Sequence, residues 1–191
     1  MKGVVVEIRT QILILGTIVG LMWGLEVLDT FVFGRALDTF GILPRQPIGL
    51  RGIFFSPFLH SNFNHLSANT VPFVILGWLI MAQSVTNFVL VSVICAVLGG
   101  VGTWVFGASG LHIGASGVIF GYLGFLLARY YFDRRLSSGL VALFVGTTYG
   151  SVLWGVLPSV PGISWEGHLF GFLSGIVAAR FATDRQDITR S

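Results

Sequence analysis

A serine and a histidine in this chain have the residue types and the settings that nucleophilic chemistry needs. Ser116 lies in the stretch HIGASGVIFG, residues 112–121, where a glycine-rich turn meets an apolar helix. His168 lies near the start of another apolar stretch, WEGHLFGFLSG. A serine hydroxyl becomes a nucleophile when an adjacent base takes its proton. At the start of a helix, free backbone N–H groups and the helix dipole also favour developing negative charge. The two residues are therefore candidates for a nucleophile and its base.

A second interpretation of the GASG segment is helix packing. Glycine, alanine and serine are also the residues that close contact between membrane helices selects. Glycines recur at helical spacing after both candidate residues. They form two ridges, Gly117, Gly121 and Gly124 in one and Gly171 and Gly175 in the other. If the two ridges face each other, the backbones approach closely and His168 is carried toward Ser116.

A histidine and an asparagine one helical turn apart form a further candidate group. His65 and Asn69 share a helix face at the start of an apolar run, with His60 five residues earlier. Two side-chain donors on one face could hold the oxyanion that forms in acyl transfer. They could equally make hydrogen bonds to neighbouring helices, and the pair alone does not decide between these roles.

The composition indicates a membrane as the setting. The chain of 191 residues is 54% hydrophobic and 10% charged, with a mean hydropathy of +0.86, whereas soluble domains carry about 25% charged residues. The sequence therefore predicts a single all-α membrane domain over residues 1–191. The predicted spans are roughly 10–28, 65–83, 88–106, 115–132, 138–157 and 165–182, which makes six.

The basic residues predict the orientation of these spans. The inside set is Lys2, Arg9, Arg129, Arg134, Arg135, Arg180, Arg185 and Arg190, and the outside set is Arg35, Arg45 and Arg51. Eight against three favours cytoplasmic termini and a plasma (inner) membrane protein. In this topology the candidate residues all begin inward-going helices, so they share one depth. The net charge of +3 includes no large basic cluster, and a nucleic-acid partner is not expected.

Two outer loops have unusual compositions. Residues 29–59 are rich in phenylalanine and are interrupted by Pro44, Pro47 and Pro57, which predicts a long first loop lying half-sunk in the outer interface. An interfacial brace without chemistry is the expected role. The segment PSVPGISWEG, residues 158–167, predicts a short irregular cap over the site.

The motifs HSNFNHLSAN, GASG and GHLFGFLSG together resemble those of the rhomboid intramembrane serine proteases, and the resemblance covers nearly the whole chain. It implies a six-helix rhomboid-like bundle with a long first loop. It also implies that Ser116 is the nucleophile and His168 the general base. The oxyanion hole would consist of His65, Asn69 and the Ser116 amide, with Gly114 allowing the loop to come close.

The same resemblance implies supporting roles and shows departures. His60 would support the first loop. Phe120 stands one turn after the serine, where the family often has a tyrosine, and Leu50-Arg51 stands where many members have Trp-Arg. Glu166, two residues before the histidine, is expected at the water interface, which leaves a two-residue dyad.

The expected function is hydrolysis of peptide bonds in or near transmembrane segments of membrane proteins. The partners would be transmembrane protein substrates and the lipid bilayer, and neither a cofactor nor a metal is implied. The alternative is a catalytically inactive rhomboid-like protein that binds or escorts client membrane proteins. Relatives of that kind lose the serine or the histidine, whereas both are present here. Hydrolysis also requires water, so a polar cavity lined by histidine, asparagine and serine is expected.

Overall fold

Six long helices account for most of the chain. The structure, a computed structural model, describes residues 2–158 and 163–188, with side chains described only between residues 7 and 182 of those ranges. The helices are α1 (Lys2–Phe31), α2 (Phe63–Met81), α3 (Val85–Phe106), α4 (Ser116–Asp133), α5 (Leu136–Val156) and α6 (Trp165–Ile188). Each helix overlaps one of the apolar runs of the sequence.

Four of the described helices have both the length and the hydropathy needed to cross a bilayer. They are α1 from Glu7 onward, α2, α3 and α5. The helices α4 and α6 are not among them. Glycines and charged residues lower their mean hydropathy, with Arg129 and Asp133 on α4 and Glu166 and Arg180 on α6. The prediction of six spans therefore goes beyond what helix length and hydropathy establish.

Helix α4 forms the centre of the bundle. Every residue from 118 to 126 is buried, as expected of a helix that other helices surround. Tyr122 packs against Phe73 of α2 and Phe88 of α3, with ring centroids 5.7 and 5.8 Å away. Its hydroxyl pairs with Ser92 Oγ at 2.6 Å. The central helix is thereby tied to both neighbouring helices.

The first loop consists of four short helical turns. They are Leu37–Phe40, Pro47–Arg51, Gly52–Phe55 and Ser56–Phe58. Proline lies in the first turn of two of them, where its missing N–H group costs no hydrogen bond. Ile42 and Ile53 are buried, whereas Phe31, Phe54 and Phe55 remain exposed on the outside. The loop therefore has an inner face of its own and an apolar outer face.

Several contacts fix the first loop to the segment before α4. Ile42 forms an isolated antiparallel bridge with His112. The Arg45 guanidinium donates to the Gly107 carbonyl at 2.8 Å. A second anchor lies within the loop, where the Arg51 guanidinium lies 4.1 Å from the centroid of the Phe40 ring. Arg51 belongs to the Leu50-Arg51 pair, which stands where the resembled family often has Trp-Arg.

Candidate active site

The segment that precedes α4 presents Ser116 at the helix start. Gly114 has a φ of +118°, a conformation that L side chains rarely adopt. Its N–H donates to the Ser56 carbonyl at 2.9 Å, which holds the turn against the first loop. Ser116 follows as the first residue of α4, so its backbone N–H has no partner within the helix. Ser116 therefore presents both its hydroxyl group and its backbone N–H at the start of the helix.

His168 lies against this serine. Its Nε2 is 2.9 Å from Ser116 Oγ, and its Nδ1 is 2.9 Å from the Gly155 carbonyl oxygen. A carbonyl oxygen only accepts, so Nδ1 must carry the proton. Nε2 is then left with its lone pair facing the serine hydroxyl, which is the arrangement that a general base requires.

The imidazole of His168 is also held by an aromatic stack. The Phe120 ring lies parallel to it, with 4.1 Å between centroids and 7° between planes. A Cβ on Gly155 would lie 2.9 Å from the Phe120 ring and 3.2 Å from His168 Nδ1. Gly155 therefore permits both the stacking and the close carbonyl. Sequence reasoning missed it, because any residue has a carbonyl group and only the fold selects this one.

The two glycine ridges face each other and bring α4 and α6 together. A Cβ on Gly171 would collide with the Gly117 carbonyl oxygen, and one on Gly175 with the Gly121 carbonyl oxygen. Such close backbone contact is possible only with glycine on one side. His168 lies one turn before Gly171, so the packing of the two helices sets its distance from the serine.

Two side-chain donors converge near Gly114. A Cβ on this glycine would lie 2.8 Å from His65 Nε2 and 3.6 Å from Asn69 Nδ2. Asn69 is buried, and its Nδ2 has no hydrogen-bond partner among the described residues. Leaving a buried donor unpaired is unfavourable, so this amide is available to a group that arrives near the serine.

A short chain of hydrogen bonds leads from Asn62 to His65. Asn62 Nδ2 donates to Ser61 Oγ at 3.2 Å, and Ser61 Oγ lies 3.3 Å from His65 Nδ1. The Ser61 hydroxyl can donate to Nδ1 or accept from it. When it donates, Nε2 carries the ring proton and faces Gly114 as a donor. Ser61 and Asn62 lie within the HSNFNHLSAN motif, but no role was predicted for them.

His60 contacts the segment that carries the serine. Its ring is buried, and its Nε2 accepts the Ala115 N–H at 3.4 Å. Its own carbonyl accepts from Arg35 of the first loop at 3.4 Å. The residue therefore links the first loop to the turn before Ser116.

Comparison with known proteins identifies the family. The Rhomboid domain matches residues 49–185, well over half of the chain. This chain belongs to the rhomboid family. One relative, Uncharacterized protein Rv1337 of Mycobacterium tuberculosis, is 43% identical over 175 residues, which cover 85% of this chain and 71% of the relative. Another, Uncharacterized protein ML1171 of Mycobacterium leprae, is 39% identical over 184 residues, covering 92% of this chain and 72% of the relative.

Family membership confirms the resemblance that the motifs predicted. The rhomboid family generally comprises intramembrane serine proteases. Together with the four apolar helices, membership identifies this rhomboid as an integral membrane protein.

The position of Glu166 corrects one expectation from the sequence. Glu166 was expected at the water interface, but in this rhomboid it is buried and accepts the Ala108 N–H at 2.9 Å. The carboxylate thus caps the turn before the serine rather than reaching solvent. It contacts neither nitrogen of His168, so it supplies no third member of a triad.

A small cavity lies beside the serine. It has a volume of about 40 Å³, with hydroxyl groups from Ser56, Thr103, Ser116 and Ser164 in its wall. The histidine in this wall is His112, and a cavity lined by His65, Asn69 and His168 stays a prediction. One water needs roughly 10–15 Å³ of such space, so the cavity has room for water next to Ser116. Residues 159–162 of the predicted cap lie outside the described residues, and the cap stays a prediction.

Proposed function

We propose that this rhomboid is a serine endopeptidase that hydrolyses peptide bonds in or near the membrane-spanning segments of other proteins. The observation that carries the proposal is the 2.9 Å contact between His168 Nε2 and Ser116 Oγ, with Nδ1 at the Gly155 carbonyl. It supports a Ser–His dyad, because one nitrogen has its proton fixed and the other has its lone pair on the serine.

In the first half of the reaction the serine is acylated. Ser116 Oγ attacks the carbonyl carbon of the scissile bond while His168 Nε2 takes the hydroxyl proton. The carbonyl π electrons move to oxygen and give a tetrahedral oxyanion. When the intermediate collapses, the C–N bond breaks and His168 returns its proton to the leaving amine.

Three donors stabilise the oxyanion in this proposal. They are the Ser116 N–H, Asn69 Nδ2 and His65 Nε2–H. The unpaired, buried Asn69 amide supports this role. The position of His65 Nε2 beside Gly114 supports it too, with the Ser61 hydroxyl donating to Nδ1 in this proposal so that Nε2 carries the proton. Donors fixed before the reaction hold the new charge without reorganising, and this is usually the largest catalytic contribution.

Water completes the second half of the reaction. His168 Nε2 takes a proton from a water molecule, whose oxygen attacks the acyl carbon, and the serine leaves with that proton. The 40 Å³ cavity beside Ser116 supports a local supply of water. Its hydroxyl wall offers several of the two to four partners that a buried water uses.

The proposed setting is the plasma (inner) membrane. All six helices cross the bilayer, with α4 shielded from lipid by its neighbours, and both termini are cytoplasmic. The site then opens on the outer side, where the exposed Phe31 at the end of α1 and the exposed Phe54 and Phe55 of the first loop lie in the interface. Substrates are membrane proteins whose spanning helices unwind near small residues.

The proposal is tested by cleavage in proteoliposomes. The reporter is a single-span protein with an Ala-Gly-Ser segment at the outer end of its helix. Wild type is expected to cleave it, Ser116→Ala is expected to leave it intact, and Ser109→Ala, in the same loop but exposed, is expected to cleave as wild type does. Retention of the reporter without cleavage, equally by wild type and Ser116→Ala, would instead favour the client-binding alternative.

A further inference from the structure

A second polar cavity lies at the end of the bundle away from Ser116. It is formed where the turn after α2 meets the start of α5, and its volume is about 290 Å³. Its polar wall consists of Gln83, Arg129, Arg135, Ser137 and Ser138. This cavity has no part in the proposed proteolysis, so a ligand bound there would be independent of that activity.

The inner wall of the cavity holds a buried cation with unused hydrogen-bonding capacity. Arg129 is 2% exposed, and its Nε donates to Asp133 Oδ2 at 3.0 Å. Its Nη1 is buried and has no hydrogen-bond partner among the described residues. A charged donor left unpaired away from water is costly. The guanidinium therefore favours a ligand with anionic oxygen atoms.

The start of α5 adds a second set of donors to the same cavity. Its first-turn N–H groups have no partner within the helix, and Arg135 provides no side-chain cap. The positive end of the helix dipole favours anions at this place. Ser137 is exposed at the rim, and the Ser138 hydroxyl already donates to Asp133 at 2.7 Å. The guanidinium groups of Arg129 and Arg135 outnumber the single carboxylate of Asp133, so this part of the cavity wall has a net positive charge.

We propose that this cavity binds the phosphate group of an anionic phospholipid. The surroundings favour a lipid over free phosphate, because apolar residues beside the cavity are strongly exposed. Leu136 is 77% and Leu140 59% exposed, and both offer surfaces for acyl chains. Tyr131, 66% exposed on the adjoining end of α4, is a residue type that anchors at the membrane surface. A zwitterionic headgroup fits less well, since its ammonium group would face two arginines.

The test measures equilibrium lipid binding to the purified full chain in detergent, with native mass spectrometry as the readout. The ligands are dioleoyl phosphatidylglycerol, dioleoyl phosphatidylcholine and inorganic phosphate. Wild type is expected to retain phosphatidylglycerol in preference to phosphatidylcholine. Arg135→Gln should weaken that binding by about tenfold, the lower end of what a hydrogen bond to a charged group contributes.

The matched control is Arg134→Gln. Arg134 neighbours Arg135 in sequence and has the same charge, but it lies 5.0 Å from the centroid of the Tyr131 ring and does not line the cavity. It should bind phosphatidylglycerol as wild type does. Ser137→Asp provides a second probe, because an acidic residue in the first turn suits the helix and repels an anion. It should weaken binding while leaving the melting temperature unchanged or raised.

Three results would overturn the proposal. The first is equal loss of phosphatidylglycerol in Arg134→Gln and Arg135→Gln, which would mean attraction by net charge alone. The second is retention of the lipid by both Arg135→Gln and Ser137→Asp. The third is competition by millimolar inorganic phosphate that removes the lipid and depends on Arg135, which would make free phosphate the ligand.

Discussion

His168 is oriented by uncharged groups on two sides of its ring. The Gly155 carbonyl holds Nδ1, and Phe120 stacks on the ring face. A carboxylate at Nδ1 would stabilise the imidazolium more strongly, but a buried carboxylate inside a membrane bundle is costly to desolvate. A carbonyl oxygen fixes the same tautomer without that cost. Phe120 keeps the ring contact that a tyrosine would make, so its missing hydroxyl leaves the orientation of the imidazole unchanged.

The first prediction at this scale concerns Asn69. Asn69→Ala removes one of the proposed oxyanion donors and should lower kcat by about 10² to 10³ with little change in KM, because the interaction strengthens only in the transition state. The matched control is Asn87→Ala, which removes an equally buried amide with an unpaired Nδ2 near the start of α3. Single-substrate kinetics in liposomes, with melting temperatures in parallel, measure both. Full kcat in Asn69→Ala would leave this residue as a structural hydrogen-bonding group.

The second prediction concerns His60 and pH. Burial, together with the nearby His65, lowers the pKa of His60 from 6.5 to about 4. Between these values the unfolded chain binds a proton that the folded chain does not, so stability falls as the pH drops from about 6.5 to about 4. The loss is on the order of 3 kcal/mol.

His60→Ala should therefore lose less stability on acidification than wild type does. It should also be less stable at neutral pH, because it lacks the buried ring and the hydrogen bond to the Ala115 N–H. Melting temperatures in detergent from pH 4 to pH 7 measure both effects. Because His60 touches the backbone of Ala115 and not the reacting atoms, kcat per folded molecule should stay close to that of wild type. If acidification lowered the melting temperatures of wild type and His60→Ala by the same amount, His60 would not be the titrating group.

At the scale of elements, the packing of α4 against α6 determines whether the dyad exists. Gly171→Ala would put a methyl group onto the Gly117 carbonyl, and overpacking of this kind costs about 1–3 kcal/mol or more. We expect a lower melting temperature and loss of cleavage, because the helices must separate. Gly24→Ala on α1 is the control, since nothing lies within 4 Å of its Cβ. If both variants melted as wild type does, the glycine contact would not hold the site together.

The sequence predicted the elements better than their hydrogen bonds. Glycines at helical spacing predicted correctly that α4 and α6 meet, because a helix face without side chains allows another helix backbone to pack closely against it. Gly155, Ser61 and Asn62 could not be found in this way, since their contribution depends on loop geometry. Glu166 was placed wrongly because a charge next to a loop suggests solvent, whereas here a backbone N–H satisfies it.

At the scale of the whole molecule, the candidate site lies at one end of the bundle and the arginine-lined cavity at the other. The helices α2, α4 and α6 all begin at the site end, which is why three separate motifs converge. The prediction of six spans requires the same arrangement, because alternate helices of a six-span bundle begin on the same side of the membrane. A central helix such as α4 is shielded by its neighbours and can cross a bilayer with modest hydropathy.

The prediction at this scale is the orientation of the bundle. Ser109→Cys should react with a membrane-impermeant maleimide in intact cells, whereas Ser137→Cys should react only after permeabilisation. Both serines are exposed, and the native Cys95 is buried, so it should contribute no background. The opposite pattern would put the site on the cytoplasmic side, and labelling of both positions would contradict the spanning arrangement.

The most direct measurement of the central claim is covalent labelling of the purified protein by a fluorophosphonate, followed by intact-mass and peptide analysis. It needs no knowledge of the natural substrate. The account predicts one adduct per wild-type chain, located on Ser116, no adduct in Ser116→Ala, a strongly reduced rate in His168→Ala and an unchanged rate in Ser109→Ala. An unlabelled wild type, or equal labelling of wild type and Ser116→Ala, would contradict the claim that Ser116 is an activated nucleophile.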